Sequence, residues 1–201
     1  RMVAWHNTLL QDEAGNITGV LSSGLDITER LEAETEREHF TRQLSTSADI
    51  SAQVNAILDP DELLNEVTKL LKESFDLYHV QFYTLDGREE EALSLRASYG
   101  QTGKLMLKQG HKLTLDHPRS LVARAARVRD IVLLNDIDED PDYLPNPLLP
   151  NTRAEVAVPA LTSEQVLGPL DMRADAAAAF ALTYFAGSRT VAGQTATALQ
   201  H

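Results

Sequence analysis

The sequence predicts an α+β domain, an antiparallel sheet flanked by helices, entered through a long polar helix that follows a short β-hairpin. Three observations carry this. From residue 59 on, the pattern runs helix, two strands, short strand, helix, three strands, helix. The strands are joined by turn signals such as Asp86-Gly87 and Ser163-Glu164, not by helical crossovers. The helices gather at the two ends of the domain, an order that suits an antiparallel sheet with helices over its face.

The hairpin comes first. Residues 3–10 and 17–25 are β-prone runs separated by a turn with Gly15-Asn16 at its tip, a recognised hairpin signal. One isolated hairpin is marginal in water, so it needs a sheet or a neighbour from elsewhere. Asp26 then offers an N-cap, with Glu29 at capping-box spacing. Residues 27–58 contain no Pro or Gly and are rich in Glu, Arg, Gln and Ala, which predicts a long helix. Ile50, Val54 and Ile57 follow the four-and-three spacing of a short coiled-coil seam. A helix this polar needs a partner, so a parallel dimer is favoured over a solvated connector.

Asp59-Pro60-Asp61-Glu62 restarts a helix, with Asp59 as cap and Pro60 at the first helical position. Leu63, Leu64, Val67, Leu70, Leu71 and Phe75 form its apolar stripe. Residues 77–85 and 91–99 read as paired strands, followed by a loop containing Gly and Lys and a short strand at 112–115. A helix is expected from Pro118 to about Arg127, with Arg119, Arg124, Arg127 and Arg129 on one wet face. A short strand at 131–134 leads into an Asp- and Pro-rich loop over 135–151. Strands at 155–161 and 166–172 and a helix over 180–199 close the domain. Pro169 lacks the N–H that a sheet ladder uses, which predicts an edge or distorted strand there.

Composition narrows the function. The formal net charge of −12 over 201 residues opposes contact with nucleic acid or an anionic membrane surface. There is no cysteine, so disulfides, thiolate catalysis and cysteine-ligated zinc are excluded. No apolar run approaches the ~20 residues of a membrane span, and a cytoplasmic setting is expected. No nucleophile–base pairing, phosphate loop or metal spacing of the six His residues stands out. The acidic run Asp136, Asp138, Glu139, Asp140, Asp142 lacks the Gly and terminal Glu of a calcium loop and reads as a solvated charge run. No metal site and no catalytic residue are expected.

Two ordered sets of residues carry a family resemblance. Leu134-Asn135-Asp136, the run Leu149 to Pro159, the strand Val166 to Met172, and Gln194, Ala196, Ala198 and Leu199 together resemble a GAF domain. Trp5, Gly15-Asn16, Gly19 and the junction Asp26 to Arg30 resemble the last hairpin of a PAS domain. The implied organisation is a PAS end over 1–28, a helical connector over 29–58 and a GAF domain over 59–201. In the PAS family the Asp26 and Thr28 positions tie the last strand to the outgoing signal helix. The GAF resemblance places a pocket between the sheet and the loops spanning Asp136 to Arg153, with Phe82, Tyr99, Asp136, Tyr143, Arg153 and Met172 as candidate ligand contacts. Arg153 has two readings, a clamp for a carboxylate or phosphate and an ion pair with Glu155 or Asp136 that fixes the loop.

Covalent bilin binding and methionine-sulfoxide reduction by GAF-type enzymes need Cys, and the cyclic-nucleotide signature is absent after Phe180. The cofactor is left unknown and a noncovalent small ligand stays open. The resemblance implies a non-enzymatic sensory segment of a bacterial-type signalling protein, a sensor histidine kinase above all. It would be a homodimer through its connector and terminal helices. The alternative is a degenerate GAF domain that binds nothing and serves as a dimerisation spacer.

Overall fold

The computed structural model describes residues 1–13, 15–31, 33, 57, 59–85, 92–163, 165–180 and 182–198. The chain divides into two compact units, Arg1–Arg42 and Gln43–His201.

The first unit is an antiparallel hairpin of β1 (Val3–Gln11) and β2 (Ile17–Asp26). Gly15 takes the left-handed backbone of its turn, with φ +84°, a conformation open to Gly at no steric cost. At the other end, Ile27 N–H donates to the Met2 carbonyl at 3.0 Å. Met2 N–H donates to Thr28 Oγ1 at 2.7 Å, and Thr28 in turn donates through its hydroxyl to Asp26 Oδ1 at 2.7 Å. These bonds hold the Asp26 carboxyl below its usual range, the Thr28 hydroxyl being the main cause. These bonds lock the start of β1 to the end of β2, and residues 28–31 are helical beyond them. Most of the connector, with Ile50 and Val54 of the expected seam, lies outside the described residues.

The second unit is a six-stranded antiparallel sheet in the order β5-β4-β3-β8-β7-β6. Its strands are β3 (His79–Leu85), β4 (Ala92–Ser98), β5 (Lys112–Thr114), β6 (Val132–Leu134), β7 (Ala154–Leu161) and β8 (Val166–Ala174). The helices are α1 (Pro60–Ser74), α2 (Gly100–Lys108), α3 (Leu121–Val128) and α4 (Leu182–Ala198). This is the α+β architecture the sequence predicts. Asp59 caps α1 by accepting from Glu62 N–H at 2.8 Å, and the apolar stripe Leu63, Leu64, Val67 and Leu71 is buried. Each such side chain contributes roughly 1.5–3 kcal/mol on leaving water.

The sheet has two unlike faces. Val80, Phe82, Val156, Val158, Leu170 and Met172 join α1 and the α4 residues Val191, Ala192 and Ala196 in the main core, against which Ile57 also packs. Tyr83, Leu93 and Leu95 meet Met106 of α2 and Val122 and Ala123 of α3 on the other face.

Three expectations are corrected. The stretch after Gly100 is a helix, not a loop; its two glycines mask the pattern. A Cβ on Gly103 would sit 2.5 Å from Ser98 Oγ, so a glycine is what lets α2 lie so close to the end of β4. Of the two alternatives for Pro169, the edge is wrong, because β8 runs between β3 and β7, while a local interruption of the ladder is present. Pro169 sits where the β3 pairing stops after Phe82↔Leu170, opposite Pro159 of β7, so the missing N–H falls at a gap in the ladder. Phe180 precedes the last helix instead of starting it, tied to Asn135 through its own N–H and carbonyl at 3.2 and 3.0 Å.

Candidate functional site

The pleat decides what faces the second layer. On β3, His79, Gln81 and Tyr83 alternate with the core residues Val80 and Phe82; on β8, Asp171 and Arg173 alternate with Leu170 and Met172; on β7, Glu155 alternates with Ala154 and Val156. The register sets Gln81 opposite Asp171, and Arg173 opposite both His79 and Glu155. A polar cluster therefore forms in the middle of a sheet covered on both sides.

Arg173 is its centre, 5% exposed. Its Nε donates to Asp171 Oδ2 at 2.9 Å, one terminal nitrogen pairs with Glu155 Oε2 at 3.0 Å, and the other donates to the Tyr143 hydroxyl at 3.1 Å. Tyr143 donates to the same Glu155 oxygen at 2.7 Å, and Gln81 donates to Asp171 Oδ2 at 2.6 Å. Two buried carboxyls share one guanidinium. Burial pushes the Glu155 carboxyl up to about 8; the Arg173 guanidinium opposes this and the neighbouring Asp171 adds to it. A proton on Glu155 relieves the like-charge contact and leaves the cluster close to neutral. Burial also lowers His79 to about 4, and its ring sits 2.9 Å from Ser98 Oγ.

Above this floor lies a cavity of about 140 Å³. Tyr83, Glu155 and Arg173 form its polar base, Leu113, Leu121 and Val122 its apolar wall, and the segment Leu144–Pro147 its rim. Arg119 holds that rim in place: its Nε donates to the Asp142 carbonyl at 2.8 Å and a terminal nitrogen donates to the Tyr143 carbonyl. Arg127 likewise donates to the Leu115 and His117 carbonyls. Two members of the expected wet arginine face are thus staples for loop backbone.

Of the six residues proposed from sequence as ligand contacts, the structure brings only Tyr143 to this cluster. Phe82 and Met172 point into the helix-covered core on the opposite face, a consequence of strand parity. Tyr99 is 37% exposed at the cap of α2. Arg153 pairs with Asp136 at 3.2 Å and with Asp138 at 2.8 Å, the loop-fixing alternative with Asp136 in the stated role; Glu155 goes to Arg173 instead. Among the described residues no group of three or more His, Asp or Glu converges as a metal site. The residues missed are Gln81, Asp171 and Arg173. Asp171 and Arg173 carry a sequence signal, charges two apart in an otherwise apolar strand; Gln81 carries none.

A family model for the GAF domain matches residues 57–200. This chain belongs to the GAF domain family. Solved structures agree on the fold. The GAF domain of a phosphoenolpyruvate-protein phosphotransferase from Coxiella burnetii superposes with a TM-score of 0.69 at 20% identity, over 81% of this chain and 95% of that one. Free methionine-R-sulfoxide reductase from Neisseria meningitidis, solved in complex with its substrate, gives 0.66 at 21% identity, over 79% and 88%. Residues 122 to 287 of a methyl-accepting chemotaxis protein give 0.63 at 19% identity, over 75% and 94%. No curated protein sequence matches the chain. GAF domains are regulatory and sensory modules of signalling proteins, and no described helix here is long and apolar enough to cross a membrane.

The buried acid gives this GAF domain a pH signature. The pKa of Glu155 is higher in the fold than its ordinary 4.5. Its stabilising protonated form is therefore complete below that value and is lost as pH rises through about 8. His79 works the other way: lowered from 6.5 to about 4, its contribution is present above 6.5 and lost as pH falls. Between 6.5 and 8 only the Glu155 effect remains of these two, so unfolding free energy should fall with pH there. The slope is at most about 1.4 kcal/mol per pH unit for one proton. Glu155→Gln, which copies the protonated acid, should flatten that slope in urea titrations; an unchanged slope would place the proton elsewhere.

Proposed function

We propose that this chain is the input segment of a signalling protein, a sensor histidine kinase in the first instance, and that its GAF domain senses a small molecule in the cavity above Arg173. The observation that carries the reading is the cavity itself. A domain serving only as a spacer has no use for an open space over a buried ion cluster, since empty space forfeits packing. The fold's occurrence in a chemotaxis protein and in a phosphotransferase supports the signalling role. In this reading, occupancy shifts Tyr143 and the rim, and the change passes to paired connector and terminal helices of a homodimer. The Asp26–Thr28 corner is the corresponding relay point for the preceding hairpin. Such coupling takes only about 1–3 kcal/mol.

A thermal-shift screen of small metabolites tests this. At least one should raise the melting temperature of the chain, and Leu113→Trp, which fills the cavity from the β5 side, should abolish the rise. A screen that is flat throughout supports the spacer reading.

A further inference from the structure

The chemistry of the cavity base points to a class of ligand, an inference that rests on the sensing role just proposed. Tyr83 is 1% exposed and lines the cavity, yet its hydroxyl has no hydrogen-bond partner among the described residues. That hydroxyl is not among the described polar atoms sealed off from solvent, so it faces the cavity as an available donor and acceptor. His111 also lines the cavity, its ring centroid 6.1 Å from that of Tyr83, and its side chain likewise makes no hydrogen bond among the described residues. Both groups stay uncharged near neutral pH: burial holds the Tyr83 hydroxyl well above its usual value and lowers His111. Each can donate and accept. They are unpartnered, neighbouring and amphoteric, which is what one polar head on a ligand would satisfy.

The charges beneath are already spent on one another. At the cavity base, Glu155 holds its proton near neutral pH and offers a cation no charge, while Arg173 is already paired with Asp171 at 2.9 Å and offers an anion none to spare. Neither finds an uncompensated counter-charge. The wall is apolar, and at about 140 Å³ the space suits a single ring, being smaller than the ~300–1,000 Å³ of sites for drug-sized molecules.

We propose that the cavity takes a small uncharged ring compound bearing one hydroxyl or amide, with its polar group between Tyr83 and His111 and its body against Leu113, Leu121 and Val122. Matched probes test it by calorimetry on the whole chain near neutral pH. Phenol and benzamide should bind, and benzoate and benzylammonium, of similar shape but charged, should bind at least tenfold more weakly. Tyr83→Phe should weaken phenol by about five- to tenfold, the value of one hydrogen bond, with melting temperature little changed. Leu113→Trp should remove phenol binding altogether. Benzoate or benzylammonium binding as tightly as phenol overturns the uncharged class and leaves the sensing role standing. The class is equally overturned if Tyr83→Phe binds phenol as the parent does, since the head is then not held there. If none of the four probes binds and the metabolite screen is also flat, both readings fall; if the screen yields only charged ligands, the class alone falls.

Discussion

Replacing Arg173 with Met is expected to cost about 3–5 kcal/mol of folding stability, seen as a lower denaturation midpoint at unchanged slope. The cause is electrostatic. Asp171 is fully buried and Glu155 nearly so, and Arg173 is the guanidinium that bonds both. Removing it leaves the buried Asp171 carboxylate with no compensating charge in a medium where an isolated charge is very unfavourable. The test has an internal control, because replacing a whole buried ion cluster by uncharged groups is often close to neutral. The triple variant with Asp171→Asn and Glu155→Gln added should therefore recover most of the loss. A loss under about 1 kcal/mol for Arg173→Met alone would show that the cluster is solvated in solution.

Gly168→Ala is expected to be nearly as damaging, at about 3 kcal/mol or more. A Cβ at Gly168 would lie 1.8 Å from the carbonyl oxygen of Tyr83 and 2.9 Å from Cα of Thr84. Those are backbone atoms of the adjacent strand, so no side chain can turn aside. The strands must part at the point where Pro169 already interrupts their ladder. Tyr83 forms part of the cavity base, so the damage reaches the candidate site as well. Circular dichroism melts of the variant would measure it, and a melting temperature within a degree or two of the parent would mean that the strands do not approach so closely.

The sequence was most readable where local chemistry repeats a simple period. The Asp59-Pro60 cap and the stripe of α1 placed that helix within a residue or two. Turn signals separated β7 from β8. The candidate site was harder, for a physical reason. β7 and β8 are buried on both faces, so apolar alternation does not reveal which side faces the helices and which the cavity. Aromatic and thioether groups such as Phe82 and Met172 then look as suited to a pocket as to a core. The discriminating information lay in Glu155, Asp171 and Arg173, whose charges only make sense together, and the register that unites them is not local. The Arg119 and Arg127 staples were hidden likewise, since the carbonyls they bind have no sequence signature.

The proposed sensing depends on a guanidinium buried beneath a cavity open to a ligand. Heteronuclear NMR of the arginine side chains addresses both halves in one titration. The Arg173 Nε–H, bonded to Asp171, should exchange with water far more slowly than the exposed arginines, and its resonance should move and saturate as phenol is added. An Arg173 signal that exchanges as fast as the exposed ones and does not respond to phenol would contradict it.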